Sequence, residues 1–371
     1  MKLSITKANF SNLLYLANSI VEKKNTMPIL ANIKLTAKDG KLGITATDLE
    51  VSLIGEVDCE VETPGTITVD GRVIYDIVKE LSSNEVKLRL AQNQRLEIEA
   101  GTSRFKINGV ASEEYPTIAG VTLSRPVTVD AEKLYQMLEK TAFAVSTDET
   151  RYNINGVFAE SIQTANGSGI RFVATDGHRL AMIDRPADGL ELKESVIIPR
   201  KGITELKKVL ESNQGNAKIS VNGGFFTVES LGVTLGVRLV DGQFPDYKQV
   251  IPKDSTTQIS ASRGDLLSAV KRVSLVSTDK TKAIKCKIVS GSLLLSSSSP
   301  EYGEALESVD IKQEGEDVTV GFSARYLLDI LTSMSESSDV NIKLKGELGP
   351  GIFCGNNDQN FECIVMPMRF E

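Results

Sequence analysis

His178 is the only histidine in the sequence, and it lies in Thr175-Asp176-Gly177-His178-Arg179-Leu180 between a carboxylate and a guanidinium. An imidazole beside Asp176 is one arrangement that supports general-base chemistry. The same six residues also read as a tight turn, because an Asp-Gly pair tolerates the backbone a turn demands. A lone histidine in such a turn is more often a hydrogen-bonded structural residue than a catalyst. Nothing else joins it. The chain has no GxxxxGK[ST], no GxGxxG after a strand and no GxSxG. The four cysteines, Cys59, Cys286, Cys354 and Cys363, show no CxxC spacing. A zinc site needs several such ligands at motif spacing. The carboxylates are scattered without a DxD-like pattern, and Ser296–Ser299 before Pro300 reads as a loop. The residues therefore predict no catalytic centre, no metal and no cofactor.

The elements that carry these residues recur three times. A short alternating strand followed by an amphipathic helix opens at Leu3-Ser4-Ile5, at Val127-Thr128-Val129 and at Gln258-Ile259-Ser260. The second and third openings end almost identically, in Val145-Ser146-Thr147-Asp148-Glu149-Thr150 and Val276-Ser277-Thr278-Asp279-Lys280-Thr281. A strand ending in Ala46-Thr47-Asp48 matches one ending in Ala174-Thr175-Asp176, and the third copy has drifted to Leu295-Ser296-Ser297-Ser298. A second strand-then-helix follows each time, with helices at Arg72–Leu81, Lys201–Leu210 and Ala324–Met334. The period of roughly 120–130 residues marks a tandem array. Each copy reads as two helices and about eight strands at period 2. The class is therefore α+β in three domains, 1–125, 126–252 and 253–371. The boundaries fall near Ser124-Arg125-Pro126 and Pro252-Lys253-Asp254, where Pro sits beside polar residues.

Bulk composition allows this. Length alone points to two or three domains, and 41% apolar with 25% charged residues is ordinary for a globular protein. With no signal peptide and no apolar run of membrane-spanning length, the chain is expected to be cytoplasmic, without disulfides and with no membrane association. The net charge of -7 argues against a nucleic-acid partner. Its distribution argues the other way. Over residues 7–24, 71–82, 131–141, 200–211, 263–273 and 324–334, Lys and Arg number 15 and Asp and Glu 9. The helices carry +6 and the remainder -13. A positive helix layer attracts a polyanion in spite of the net charge, although Lys is also a good helix former that solvates a face. Trp is absent and aromatics are 5%, which speaks against base stacking on single strands. Contacts would be to phosphates and independent of sequence, with affinity falling steeply as salt rises. The ending Cys363-Ile364-Val365-Met366-Pro367-Met368-Arg369-Phe370-Glu371 reads as a last core strand or as an apolar groove, for which adaptable Met suits varied peptides.

These residues resemble the bacterial DNA polymerase III beta subunit family, the sliding clamps, over essentially the whole chain. The blocks that carry the resemblance are Thr26-Met27-Pro28-Ile29-Leu30, Thr47-Asp48-Leu49-Glu50, Thr175-Asp176-Gly177-His178-Arg179-Leu180, Pro199-Arg200-Lys201-Gly202, Phe244-Pro245-Asp246-Tyr247 and Val365-Met366-Pro367-Met368-Arg369. The resemblance implies the DNA clamp fold. Two chains would join head to tail as a homodimer in a closed ring, with helices lining the hole and sheets outside. It implies a processivity function without catalysis. The partners would be double-stranded DNA, the replicative DNA polymerase catalytic subunit, an ATP-dependent clamp loader, and other polymerases and repair proteins carrying clamp-binding peptides. The family's DNA-contacting positions match Lys24, Arg72, Asp148, Tyr152, Asn153 and Lys201. Asp148 departs from the pattern, since an acid repels phosphate, and Asn153 replaces an aromatic found in some members. Arg151 and Arg200 are adjacent cations able to compensate. The implied peptide groove comprises Ile154, Thr175, Gly177, His178, Arg179, Leu180, Pro245, Val250, Ile364, Val365, Met366, Pro367, Met368 and Arg369. Gln249 stands where a member can carry Arg, and Glu371 extends the end beside that groove. The implied dimer contacts are Phe105 and Ile107 in the first copy and Leu275 and Val276 in the third.

Overall fold

The computed structural model describes residues 1–21, 27–164, 167–187, 192, 194–277, 283–336 and 338–369. Repeat 1 contains β1 (Lys2–Thr6), α1 (Lys7–Ile20), β2 (Asn32–Lys38), β3 (Lys41–Thr47), β4 (Val51–Asp58), β5 (Glu60–Thr63), β6 (Gly65–Asp70), α2 (Gly71–Glu80), β7 (Glu85–Ala91), β8 (Arg95–Ala100) and β9 (Ser103–Val110). Repeat 2 contains β10 (Val127–Asp130), α3 (Ala131–Ala142), β11 (Gly156–Thr164), β12 (Gly167–Thr175), β13 (Arg179–Pro186), β14 (Val196–Pro199), α4 (Arg200–Leu210), β15 (Asn216–Asn222), β16 (Phe225–Ser230) and β17 (Val233–Arg238). Repeat 3 contains β18 (Thr257–Ser262), α5 (Arg263–Ser274), β19 (Ala283–Val289), β20 (Ser292–Ser299), β21 (Gly303–Gly315), β22 (Val318–Ser323), α6 (Ala324–Ser333), β23 (Asp339–Leu344), β24 (Gly351–Gly355) and β25 (Asp358–Val365). The expected two helices per repeat are present. The strands number nine, eight and eight among the described residues, the ninth being the short β5.

Local sequence explains the elements. In α1 the apolar residues Phe10, Leu13, Leu14, Ala17 and Ile20 recur at three- and four-residue steps, and all are buried. Asp70 caps α2 by accepting from the Val73 amide at 2.8 Å. Ser262 does the same for α5 through the Asp265 amide at 3.3 Å. Strands such as β2 alternate buried and half-buried residues, with Ile33, Leu35 and Ala37 inward. Gly202 lets α4 lie close on β17, since a Cβ there would stand 2.2 Å from a Val237 methyl.

The chain divides into two compact units. Unit 1 is Met1–Tyr135 with Ile198–Leu239, and unit 2 is Gln136–Ile197 with Val240–Glu371. The middle repeat is shared, because its two halves extend different sheets. In unit 1 one sheet of 13 strands runs β10-β15-β16-β17-β4-β3-β2-β6-β9-β8-β7-β1-β5. A sheet of 12 strands runs β14-β11-β12-β13-β25-β24-β23-β18-β21-β20-β19-β22. The two joins between repeats obey one rule. The last strand of a repeat pairs antiparallel with the strand after the Thr-Asp turn of the preceding repeat. Thus β17 pairs with β4 from Val233↔Gly55 to Val237↔Val51, and β25 pairs with β13 from Val365↔Arg179 to Phe361↔Ile183.

The same rule leaves two strands over. The last strand of repeat 1, β9, pairs with β8 from Ser103 to Asn108 but reaches β6 only through Gly109 and Val110. In repeat 3, β21 pairs with β20 from Gly303 to Asp310 and reaches β18 only from Ile311 onward. Among the described residues, Ser103–Asn108 and Gly303–Asp310 each have one edge without a neighbour.

Candidate functional site

The turns that follow β3, β12 and β20 are built alike. The Asp48 carboxylate accepts from the Glu50 and Val51 amides at 2.9 and 2.7 Å. The Asp176 carboxylate accepts from the His178 and Arg179 amides at 2.9 and 3.1 Å. In the drifted third copy, the Ser299 hydroxyl accepts from the Glu301 and Tyr302 amides at 3.2 and 3.4 Å. The backbone is left-handed at Gly177 (φ +93°) and at Leu49 (φ +79°), and of these two turns the one in repeat 2 uses the residue for which this is unstrained. Asp176 thus serves backbone amides and Arg179. The exposed His178 is fixed through its main chain, its carbonyl accepting from the Met366 amide at 2.9 Å. His178 is a residue of the turn between β12 and β13, and the Asp176 carboxylate beside it is spent on two backbone amides and Arg179.

The positions expected to form a groove separate into buried and exposed residues. Ile154, Leu180 and Ile364 are buried in one apolar cluster with Val173, Met182, Ile197, Phe244 and Tyr247. Val365 is buried against β13 in register with Arg179. Thr175 shapes the turn, its hydroxyl donating to the Arg179 carbonyl at 2.6 Å and accepting from the Gly177 amide at 3.1 Å. Pro245 and Val250 are exposed on the loop whose Phe244 and Tyr247 enter the cluster, and Met366 is 42% exposed. Pro367 and Met368 are half-buried and Arg369 exposed, with the Met368 amide donating to the Gly321 carbonyl at 2.8 Å. β25 is a core strand through Val365, and an apolar, partly exposed tail leaves it. Phe370 and Glu371 lie outside the described residues.

Arg179 departs from its expected place. Its side chain is 3% exposed. The guanidinium donates to Asp176 Oδ2 at 3.1 Å, Asp329 Oδ2 at 2.6 Å and the Phe143 carbonyl at 2.6 Å. It also lies over the Tyr326 ring, 4.5 Å from the centroid. The planar fork satisfies several fixed acceptors at once, for which Lys would not substitute. This side chain holds the turn to α6 instead of lining a groove.

Sequence reasoning missed two further charge networks in unit 2. Asp358 accepts from Lys140 at 2.5 Å and Arg185 at 2.8 Å. Burial pushes the Asp358 carboxyl upward, but the Arg185 and Lys140 hydrogen bonds outweigh it and hold the pKa below the usual carboxylate range. The Tyr247 hydroxyl donates to Glu160 and accepts from Arg171 at 3.2 Å, while Arg171 grips Asp184 through two 2.7 Å bonds. Burial raises Tyr247 to about 12. That network anchors the loop that carries Pro245 and Val250, and no spacing pattern announces it.

The polyanion positions are altered more. Lys24 lies outside the described residues. Lys201 is committed, since its ammonium pairs with the buried Asp48 carboxylate in unit 1. Arg151 donates to the Asp176 carbonyl at 3.0 Å, so this cation braces the turn. Asp148 is a loop cap. It accepts from the Thr150 hydroxyl at 2.6 Å and amide at 3.0 Å, and the hydroxyl bond holds its carboxyl below the ordinary range. Tyr152 is 59% exposed, and Asn153 donates to the Gln243 carbonyl at 3.4 Å. Arg72 and Arg200 are exposed. Among the dimer positions, Phe105 on β9 is 39% exposed and Ile107 half-buried. Leu275, following α5, is 78% exposed and Val276 half-buried.

Three family models match in chain order: the N-terminal, central and C-terminal domains of the DNA polymerase III beta subunit, over residues 1–119, 128–246 and 248–369. The beta sliding clamp of Caulobacter vibrioides is 34% identical over 100% of both chains. The chain belongs to the DNA polymerase III beta subunit family. A crystal structure of the Caulobacter crescentus clamp shares the fold at a TM-score of 0.94 and 33% identity, covering 100% of this chain and 99% of that one. A Bartonella birtlesii clamp solved with griselimycin bound matches at 0.93 and 32%, covering 100% of both. As a beta subunit, the protein is a DNA sliding clamp of replication. Its three repeats are the family's three clamp domains.

Proposed function

We propose that two copies of this sliding clamp close head to tail into a ring around duplex DNA and tether the replicative polymerase there without chemistry of their own. One observation carries the reading: a single strand-pairing rule makes both internal joins and leaves β9 and β21 with open edges. Applied once more, the rule pairs β9 of one chain with β21 of another. Such a heterologous interface forms a ring when its rotation closes, and it removes the exposed edges that would otherwise invite aggregation. The two-residue turns before β17 and β9 align Val233–Val237 with Ser103–Ile107. Phe105 then matches Leu235, which is fully buried in the join with β4. Its own exposure is what a missing partner strand leaves. The 1–125, 126–252 and 253–371 domains become the ring segments. The apolar cluster around Ile154, Leu180 and Ile364, rimmed by Pro245, Val250 and Met366, receives peptides of polymerases, repair proteins and an ATP-dependent clamp loader. The protein works in the cytoplasm.

The test is a sedimentation mass at micromolar concentration. The expected value is twice the 40.2 kDa of one chain, falling to one chain for Phe105→Asp, which buries a charge at the seam. A wild-type monomer would leave the alternative of a peptide-binding scaffold that does not encircle DNA.

A further inference from the structure

Arg72, Lys201 and Arg325 hold one place in the three repeats. Each is the second residue of the repeat's second helix, in Gly71-Arg72, Arg200-Lys201 and Ala324-Arg325. Each is followed four residues later by an acid: Asp76, Glu205 or Asp329. The three cations are not equally available. Lys201 is 29% exposed and paired with Asp48. The Arg72 and Arg325 side chains are 61% and 69% exposed, and their Nε atoms stand 3.7 and 3.9 Å from the acid one turn on. For Arg325 that acid already has a closer partner, since Asp329 accepts from Arg179 at 2.6 Å.

Helix stability does not account for an arginine there. A cation in the first turn opposes the helix dipole, and a base preceding an acid by four residues is the weaker order for such a pair. An exposed guanidinium loosely held by a neighbour that is otherwise engaged is suited to an external anion. We propose that Arg325 is a further phosphate-contacting residue of the clamp, equivalent to Arg72, and that the paired Lys201 contributes little at the corresponding place. The inference rests on the reading of the protein as a clamp on duplex DNA.

The experiment measures binding of a short fluorescent duplex by the full-length protein across a salt series. The slope of log affinity against log salt falls by about 0.9 for each phosphate contact removed from a duplex. Arg325→Ala and Arg72→Ala are each expected to lower it by about that amount per contact, Arg325→Lys to restore it, and Lys201→Ala to leave it unchanged. An Arg325→Ala slope equal to wild type overturns the proposal, as does an equal loss in Lys201→Ala. A wild-type protein without salt-dependent binding would instead contradict the underlying clamp reading.

Discussion

Replacing Arg179 tests how the peptide turn is held in unit 2. The guanidinium is 3% exposed and contacts two carboxylates and one carbonyl. In Arg179→Ala, Asp176 and Asp329 lose their shared cation and the Phe143 carbonyl loses a donor. Breaking a buried ion pair from one side costs about 3–5 kcal/mol. Asp329 is 34% exposed and can recruit water or Arg325, which places the expected loss near the lower end, about 3 kcal/mol. Asp329→Asn weakens one charge-assisted bond at a half-open position and should cost about 1 kcal/mol. Arg179→Lys should fall between the two because an ammonium cannot reproduce the fork. Denaturant unfolding followed in unit 2 gives these values. The double variant should be less destabilised than the sum of its parts, because both changes remove the same bond. A loss below about 1 kcal/mol for Arg179→Ala, or strict additivity in the cycle, would refute the latch.

Two other outcomes follow from the site. Deleting Met366 to Glu371 removes the apolar tail and its bonds to the His178 and Gly321 carbonyls. Binding of a Gln-Leu-x-Leu-Phe peptide, followed by fluorescence polarisation, should disappear, whereas unchanged affinity would remove the groove assignment. Asp358 gives a pH signature. Its folded pKa is depressed, so its stabilisation is present above the ordinary carboxylate value, about 4, and is lost as pH falls through the lower folded value. Asp358→Asn should melt below wild type at pH 7, and the gap should close on acidification toward pH 3. A gap that is constant with pH would show that the Lys140 and Arg185 contacts do not depend on the charge.

The tandem repeat was legible because strand and helix periods differ and the order strand, helix, turn recurs with near-identical peptides. The turns at Asp48 and Asp176 were legible for the same reason; Ser296–Ser299, expected as a loop, instead complete β20, and Ser299 keeps an oxygen where Asp48 and Asp176 cap their amides. What each helix cation does was not. The Arg263 guanidinium is buried on the Leu331 carbonyl, 68 positions away. Lys201 meets Asp48 in another repeat, and Lys140 meets Asp358, 218 positions away. Spacing along one helix locates a positive charge but carries no information about a remote acceptor that neutralises it. The +6 of the helices therefore overstates the charge offered to a partner. The division into two units was equally hidden, because the alternation of a strand does not reveal which strand it pairs with. Only the register of β17 on β4 and of β25 on β13 exposes the rule that leaves β9 and β21 open.

That rule leads to encirclement, which is tested most directly on a nicked circular duplex. The protein, loaded by an ATP-dependent clamp loader and then freed of loader and ATP, should stay on the intact circle through gel filtration and leave when the circle is cut. Prompt release from the intact circle would contradict the account.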